Sequence, residues 1–224
     1  MCGRASLTGS GEELAEEFGL TSLAPLAPRY NIAPSEPILA VRATASGDRA
    51  AAFLRWGLVR PGSEDPRAPI NLRLESVVRG AMRASVRERR CIVPLTGFYE
   101  WKRTGKARQP FNVRRKDGRV FGVAGLWERL ESGGQEPLES CLVLTTTPNG
   151  VVAPIHDRMP VILDPASYAT WLDPAPREGR DLVSRLRLLP EDALECYTVS
   201  CLVNRAGVED PRCLEPARAV TLWE

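Results

Sequence analysis

Residues 91–102 read Cys91-Ile92-Val93-Pro94-Leu95-Thr96-Gly97-Phe98-Tyr99-Glu100-Trp101-Lys102 and hold two strand-like runs, Cys91–Val93 and Phe98–Lys102, in close succession. β-Branched and aromatic side chains crowd both, and such residues suit extended backbone. Similar runs lie upstream at Ile38–Arg42 and Ala51–Val59, and downstream at Phe111–Arg114, Val120–Trp127 and Cys141–Thr146. Later ones are expected at Pro160–Leu163, Tyr197–Val199 and Val220–Leu222. Helical signals are fewer. Ser10-x-x-Glu13 predicts a capping box opening a helix through about Phe18. Further helices are expected at Arg73–Arg83, Gly179–Leu188 and Pro165–Leu172, the last with Asp164 as N-cap and Pro165 in its first turn. Pro25 to Pro37 carries four prolines and is expected to be irregular. Many short strands, few helices and no βαβ rhythm predict a β-rich α+β fold, with residues 1–224 as one domain.

The 224 residues are 43% hydrophobic and 26% charged, ordinary values for a soluble globular protein. No run approaches the 18 apolar residues of a membrane span. An acidic stretch (Glu12, Glu13, Glu16, Glu17) replaces any signal-like apolar start, so a cytoplasmic protein is expected. Six cysteines (2, 91, 141, 196, 201, 213) form no CxxC pair, and there is one histidine. Zinc of the common Cys/His type is therefore not expected, nor any other metal or cofactor, and the five internal cysteines are most simply buried thiols. The net charge of +2 is small but unevenly spread. Arg73–Arg90 holds six arginines against two glutamates, and Lys102–Arg119 eight basic residues against Asp117 alone. A basic face toward a polyanion fits this distribution. Of 30 basic residues 27 are arginine, which matches phosphate bidentately, although a GC-rich genome produces the same bias.

The chain begins Met1-Cys2-Gly3-Arg4. Cys2 is small, so removal of Met1 is expected and would leave an α-amine and a thiol on adjacent carbons. The amine titrates near 7.7–8.0 and the thiol near 8.5, so both are nucleophiles accessible close to neutrality. Such a 1,2-aminothiol condenses with an aldehyde to an imine and closes to a thiazolidine. The plain alternative is that Cys2 merely follows the start codon.

Three more segments carry polar groups in apolar surroundings: Ile70-Asn71-Leu72-Arg73-Leu74-Glu75, Gly97-Phe98-Tyr99-Glu100-Trp101, and Pro154-Ile155-His156-Asp157-Arg158-Met159-Pro160. With the N-terminal Cys-Gly-Arg, Tyr30-Asn31-Ile32-Ala33-Pro34, Arg55-Trp56-Gly57 and Val199–Asn204, they stand in an order that resembles the SRAP family, named for SOS-response-associated peptidase. Its best-understood members crosslink to abasic sites in single-stranded DNA. The resemblance spans nearly the whole chain. It implies a distorted barrel-like core of mostly antiparallel strands, a few flanking helices and a basic groove. The implied partner is single-stranded DNA holding abasic sites, including at junctions with duplex, bound by a monomer.

An opened abasic site offers the aldehyde that the Cys2 aminothiol requires. Glu100, set among aromatic residues, is the candidate acid/base group, because burial there would raise its pKa toward neutrality; a solvent-facing strand glutamate is the alternative. The resemblance implies that His156 assists sugar ring opening, leaving-oxygen protonation or crosslink reversal. Asn71 would donate a hydrogen bond to the sugar or to the Cys2 amine, unless it is simply a strand-end residue. Arg4, Arg73 and Arg158 each lie beside a catalytic candidate, as phosphate clamps would. For Arg73 the competing partner is Glu75, two residues away. Asn31 and Pro34 are expected to border the groove, Pro34 as an apolar wedge. Where many relatives carry a tryptophan pair after Trp-Gly, this chain has Val59-Arg60-Pro61-Gly62-Ser63, so it is expected either to grip flanking DNA less tightly or to use Arg60 in place of base stacking. Two other readings stay open: an N-terminal-cysteine peptidase using Cys2, His156 and Asn71 or Glu100, and a non-covalent reader of modified DNA.

Overall fold

The computed structural model describes residues 2–59, 68–105, 107–132 and 135–217. Arg60 and the expected strand Val220–Leu222 lie outside them. In chain order the strands begin with β1 (Ala5–Leu7), β2 (Arg29–Ile32), β3 (Pro37–Ala43), β4 (Arg49–Trp56), β5 (Asn71–Arg73) and β6 (Arg90–Leu95). They continue with β7 (Gly97–Thr104), β8 (Ala107–Arg115), β9 (Phe121–Ser132), β10 (Gln135–Thr146), β11 (Met159–Pro160), β12 (Ile162–Leu163) and β13 (Leu194–Thr198). The helices are α1 (Gly11–Phe18), α2 (Leu74–Val78), α3 (Arg83–Glu88), α4 (Tyr168–Leu172) and α5 (Gly179–Ser184).

Five strands close on themselves in the order β10-β4-β3-β6-β9, with β9 pairing back to β10. Four of the five ladders are antiparallel and β4–β10 is parallel. Phe121 to Leu126 is therefore buried on both faces, which explains its nearly unbroken apolar sequence. Glycine at 122 lets the helices close on this wall. A Cβ there would meet Ile92 Cγ2 at 2.6 Å and Tyr168 Cε1 at 2.9 Å. Tyr168 of α4 instead accepts from the Gly122 N–H at 3.0 Å and stacks on Phe18 of α1, centroids 5.3 Å apart. A second, wholly antiparallel sheet runs β13-β8-β7-β1-β2. It buries Phe98 with the barrel core and Tyr99 in a smaller cluster with Val199, Val203 and Cys213.

Several expectations need correcting. The proline-rich 25–37 segment contains β2, because Arg29–Ile32 lies between its prolines and finds β1 as a partner. The expected helix Arg73–Arg83 starts as strand β5, parallel to β10, and α2 stops where Gly80 takes φ +92°. The Ala51–Val59 run ends at Trp56, since Gly57 has φ +130°. The capping box is half made: Ser10 accepts from the Glu13 N–H, but the Glu13 carboxylate accepts from Val120 instead. Pro160–Leu163 splits into β11 and β12, which pair with different barrel strands. Of the internal cysteines, Cys201 is exposed and Cys196 only partly covered.

Candidate functional site

The N-terminal strand brings the first candidate into the seam between barrel and sheet. β1 pairs with β7 through Ala5–Phe98 and with β2 through Ala5–Ile32, and the Tyr99 N–H donates to the Arg4 carbonyl at 3.0 Å. Continued two residues back, these registers put Gly3 between Glu100 and Pro34. Cys2 is buried at 1% exposure, and its carbonyl accepts a 2.8 Å hydrogen bond from Asn71 Nδ2. Asn71 reaches it from β5, whose pairing with Val143 fixes it at the end of the barrel. Its Oδ1 is buried with no hydrogen-bond partner among the described residues, leaving an acceptor beside Cys2.

Glu100 is 2% exposed, so the solvent-facing alternative fails. Its Oε2 lies 3.8 Å from Nε2 of His156. The histidine sits on a turn after β10, its N–H bonded to the Val152 carbonyl at 3.0 Å. The Arg158 N–H donates to His156 Nδ1 at 3.0 Å. The Arg158 carbonyl and an Asp157 carboxylate oxygen each lie 3.1 Å from the same nitrogen, so Nδ1 is the ring atom gripped by the loop and Nε2 the one turned toward Glu100.

Burial dominates the electrostatics. It pushes the Glu100 carboxyl up to about 7, with the Asp157 charge adding in the same direction. Burial, reinforced by the negative charge of Glu100, raises the Cys2 thiol far above the ordinary thiol range, so the resting group is a neutral S–H. The imidazole pKa is lowered, again chiefly by burial, and His156 is neutral at pH 7. The site thus holds a buried thiol, a carboxyl poised at neutrality and an uncharged imidazole.

The arginines divide. Arg73 is exposed at the start of α2. Arg4 donates to Asn31 Oδ1 at 2.7 Å and to the Val203 carbonyl, while Nε is buried without a partner among the described residues. Arg158 forms a bidentate pair with Glu75, both bonds 2.8 Å, and donates to the Thr145 carbonyl at 2.7 Å. Glu75 therefore pairs with Arg158, where Arg73 was the partner weighed from sequence. Asn31 is fully buried and orients Arg4; it does not line a groove. Pro34 is half-buried in a turn.

A cavity of about 430 Å³ is lined by Gly3 and Arg4, which follow Cys2, by Trp101, which follows Glu100, and by Arg108 and Asn204. Trp101 donates its ring N–H to Asn204 Oδ1 at 2.6 Å, and the Arg4 guanidinium carbon lies 6.0 Å from the ring centre. Lys102, Arg103 and Arg108 are exposed toward the tip of the β7–β8 hairpin. The sequence reading missed Trp101 and Arg108, although Trp101 directly follows the candidate acid and a half-covered tryptophan between basic residues is itself a nucleic-acid signal. It also missed Thr145, whose role is carried by its backbone and leaves no trace in residue type.

A closed barrel flanked by an antiparallel sheet, with a buried N-terminal-strand cysteine set against a glutamate, an asparagine and a histidine, defines a class of cysteine-centred site at a barrel–sheet seam. The chain belongs to the SOS response associated peptidase (SRAP) family, whose model matches residues 1–206. It is 36% identical over 223 residues to the abasic site processing protein YoqW of Bacillus subtilis, covering 96% of this chain and 99% of that one. Against the abasic site processing protein HMCES of Gallus gallus identity is 28%, covering 84% of this chain and 66% of the relative. A crystal structure of a Bacteroides thetaiotaomicron protein shares the fold with a TM-score of 0.79 at 22% identity, covering 96% of this chain and all of that one. A phage-related protein of Bordetella bronchiseptica gives 0.72 at 29% identity, over 88% and 94% of the two chains. Among the described residues no helix is long and apolar enough to cross a membrane.

Proposed function

We propose that this protein captures abasic sites in single-stranded DNA as a covalent thiazolidine formed by Cys2 once Met1 is removed. The relatives' names motivate the lesion. The observation that carries the chemistry is the buried Cys2, tethered by Asn71, beside a carboxyl whose pKa lies near 7. The α-amine attacks C1′ of the opened sugar, a proton passes to the former aldehyde oxygen, and water leaves to give a Schiff base. Because the thiol rests protonated, it acts second. Glu100 takes the S–H proton as sulfur attacks the imine carbon, closing the ring with loss of one water overall. His156, with Nε2 toward Glu100, serves the sugar oxygen and the reverse reaction. Asn71 holds the Cys2 backbone and presents Oδ1 to the amine.

DNA contact is assigned to Arg73, to Arg4 and Arg158 at the border of the site, and to Pro34 against a base at a duplex junction. Backbone contacts of this kind make binding indifferent to sequence. A monomer suffices, since all four reacting groups come from one chain. A peptidase reading, including self-removal of Met1, asks for a readily ionised thiol, and both burial and Glu100 oppose that. The test is an oligonucleotide with one abasic site, incubated with protein and run on a denaturing gel. A heat-stable shifted band is expected, and Cys2→Ala should abolish it while retaining non-covalent binding. A band that survives Cys2→Ala removes the thiazolidine.

A further inference from the structure

Glu75 is assigned no part in the chemistry above, yet it is the hub of the contacts that hold His156. It lies four residues beyond Asn71, where β5 turns into α2. Both carboxylate oxygens bind Arg158, Oε1 to Nη1 and Oε2 to Nη2, each at 2.8 Å. Nη2 also donates to the Thr145 carbonyl on β10 at 2.7 Å. The guanidinium is therefore gripped from two elements, while the backbone N–H of the same residue fixes His156 Nδ1 at 3.0 Å. A fork-to-fork arginine–carboxylate pair restricts orientation as well as distance.

We propose that Glu75 is a positioning residue for His156: by clamping Arg158 it locks the segment His156-Asp157-Arg158 so that Nε2 keeps facing Glu100, and it competes with DNA phosphate for the Arg158 fork. The second half follows from geometry. A phosphate presents the same two-oxygen edge as a carboxylate, so the two compete for one guanidinium face. The Glu75 side chain is 43% exposed against 10% for Arg158, so the pair can be reached from the acid's side. The phosphate half rests on the DNA reading given above; the histidine half does not.

Glu75→Gln separates this from a simple staple, because the two roles move in opposite directions. Crosslinking at saturating abasic single strand should slow about tenfold. Affinity for an intact single strand should rise a few-fold at low salt, with the salt slope steeper by about one released counterion as Arg158 is freed. His156 is the only histidine, so one nitrogen-15-labelled imidazole reports its tautomer without overlap or DNA. At pH 8 the native protein should show one dominant tautomer and Glu75→Gln a mixture. Arg158→Lys, which keeps the charge and loses the fork, should show the same mixture, and Glu75→Asp should restore part of the native signal. Unchanged histidine signals in both Glu75→Gln and Arg158→Lys would overturn the proposal, as would a parallel fall in affinity and crosslinking. If the native protein forms no crosslink, the DNA reading fails while the histidine spectra still decide the role of Glu75.

Discussion

Glu100 and Glu75 occupy opposite electrostatic poles of one site. Glu100 sits on β7, in the seam between sheet and barrel, and burial lifts its pKa to about 7. Glu75 sits at the head of α2 near the surface, and hydrogen bonding to Arg158 lowers its pKa to about 2. The first is a carboxyl the fold keeps partly protonated, at a cost in stability. The second is a carboxylate held charged by its partner. Proton transfer suits the former and fixed geometry the latter. The difference is set by burial and by whether an arginine is supplied.

The largest break in this comparison should come from Glu100→Gln. Loss of a general acid/base group costs about 10²–10⁴ in rate, so crosslink formation in single-turnover gels should fall by at least about 10² while affinity for intact single strand stays within a factor of two or three. An equal loss of both would make Glu100 a structural residue. The native rate should also climb with pH through an apparent pKa near 7, the value burial gives Glu100, because the carboxylate is the form that accepts the thiol proton. The variant should lose that dependence.

The same substitution should raise stability. Between the ordinary glutamate pKa and about 7 the native state holds the Glu100 proton longer than the unfolded chain does. Stability is therefore lost as pH rises across that window. Gln cannot ionise and escapes the loss, so urea melts at pH 8 should favour Glu100→Gln by on the order of 1–3 kcal/mol, with little difference at pH 4. Glu75→Gln should do the reverse and destabilise slightly above pH 5. If both variants destabilise alike at pH 8, burial is not what distinguishes the two glutamates.

Asn71→Ala tests the tether that joins the two regions, since β5 leads from the Cys2 contact directly to Glu75. A hydrogen bond of this kind contributes about 1 kcal/mol, and its loss should slow crosslinking about fivefold. Unchanged rates with a lowered melting temperature would return Asn71 to a strand-end role.

The two regions also differ in how far they can be read without coordinates. As candidates, Cys2 stands out by its place behind Met1, His156 as the only histidine, and Asn71 and Glu100 as polar groups among apolar neighbours. For Glu100 the neighbours Phe98, Tyr99 and Trp101 left burial and a solvent-facing strand position equally open, and the family resemblance tipped the reading. The Glu75–Arg158 pair was not legible, because it spans 83 residues and Arg73 stood closer in sequence. Strand content was clear from β-branched and aromatic runs. The strands that seat the site were not: β1 and β5 have three residues each and take their form from β7 and β10. A strand boundary failed at Gly57 and a helix boundary at Gly80, where φ is positive, since glycine announces freedom but not which way it is used.

The smallest expected effect concerns the outer edge of the Glu75 region. Arg73 is exposed where β5 gives way to α2, so the phosphate contact proposed for it is made in water. Arg73→Ala should weaken single-strand binding by less than about tenfold and reduce the salt slope by about one, with no preference among base sequences. Crosslinking at saturating DNA should be nearly native, because Glu75 and Arg158 keep their pair when Arg73 is removed. That makes Arg73→Ala the counterpart of Glu75→Gln: one weakens binding and keeps chemistry, the other strengthens binding and slows chemistry. Should Arg73→Ala instead slow the saturated reaction, the arginine acts on Glu75 through its charge, and the α2 end of the site works as one electrostatic unit.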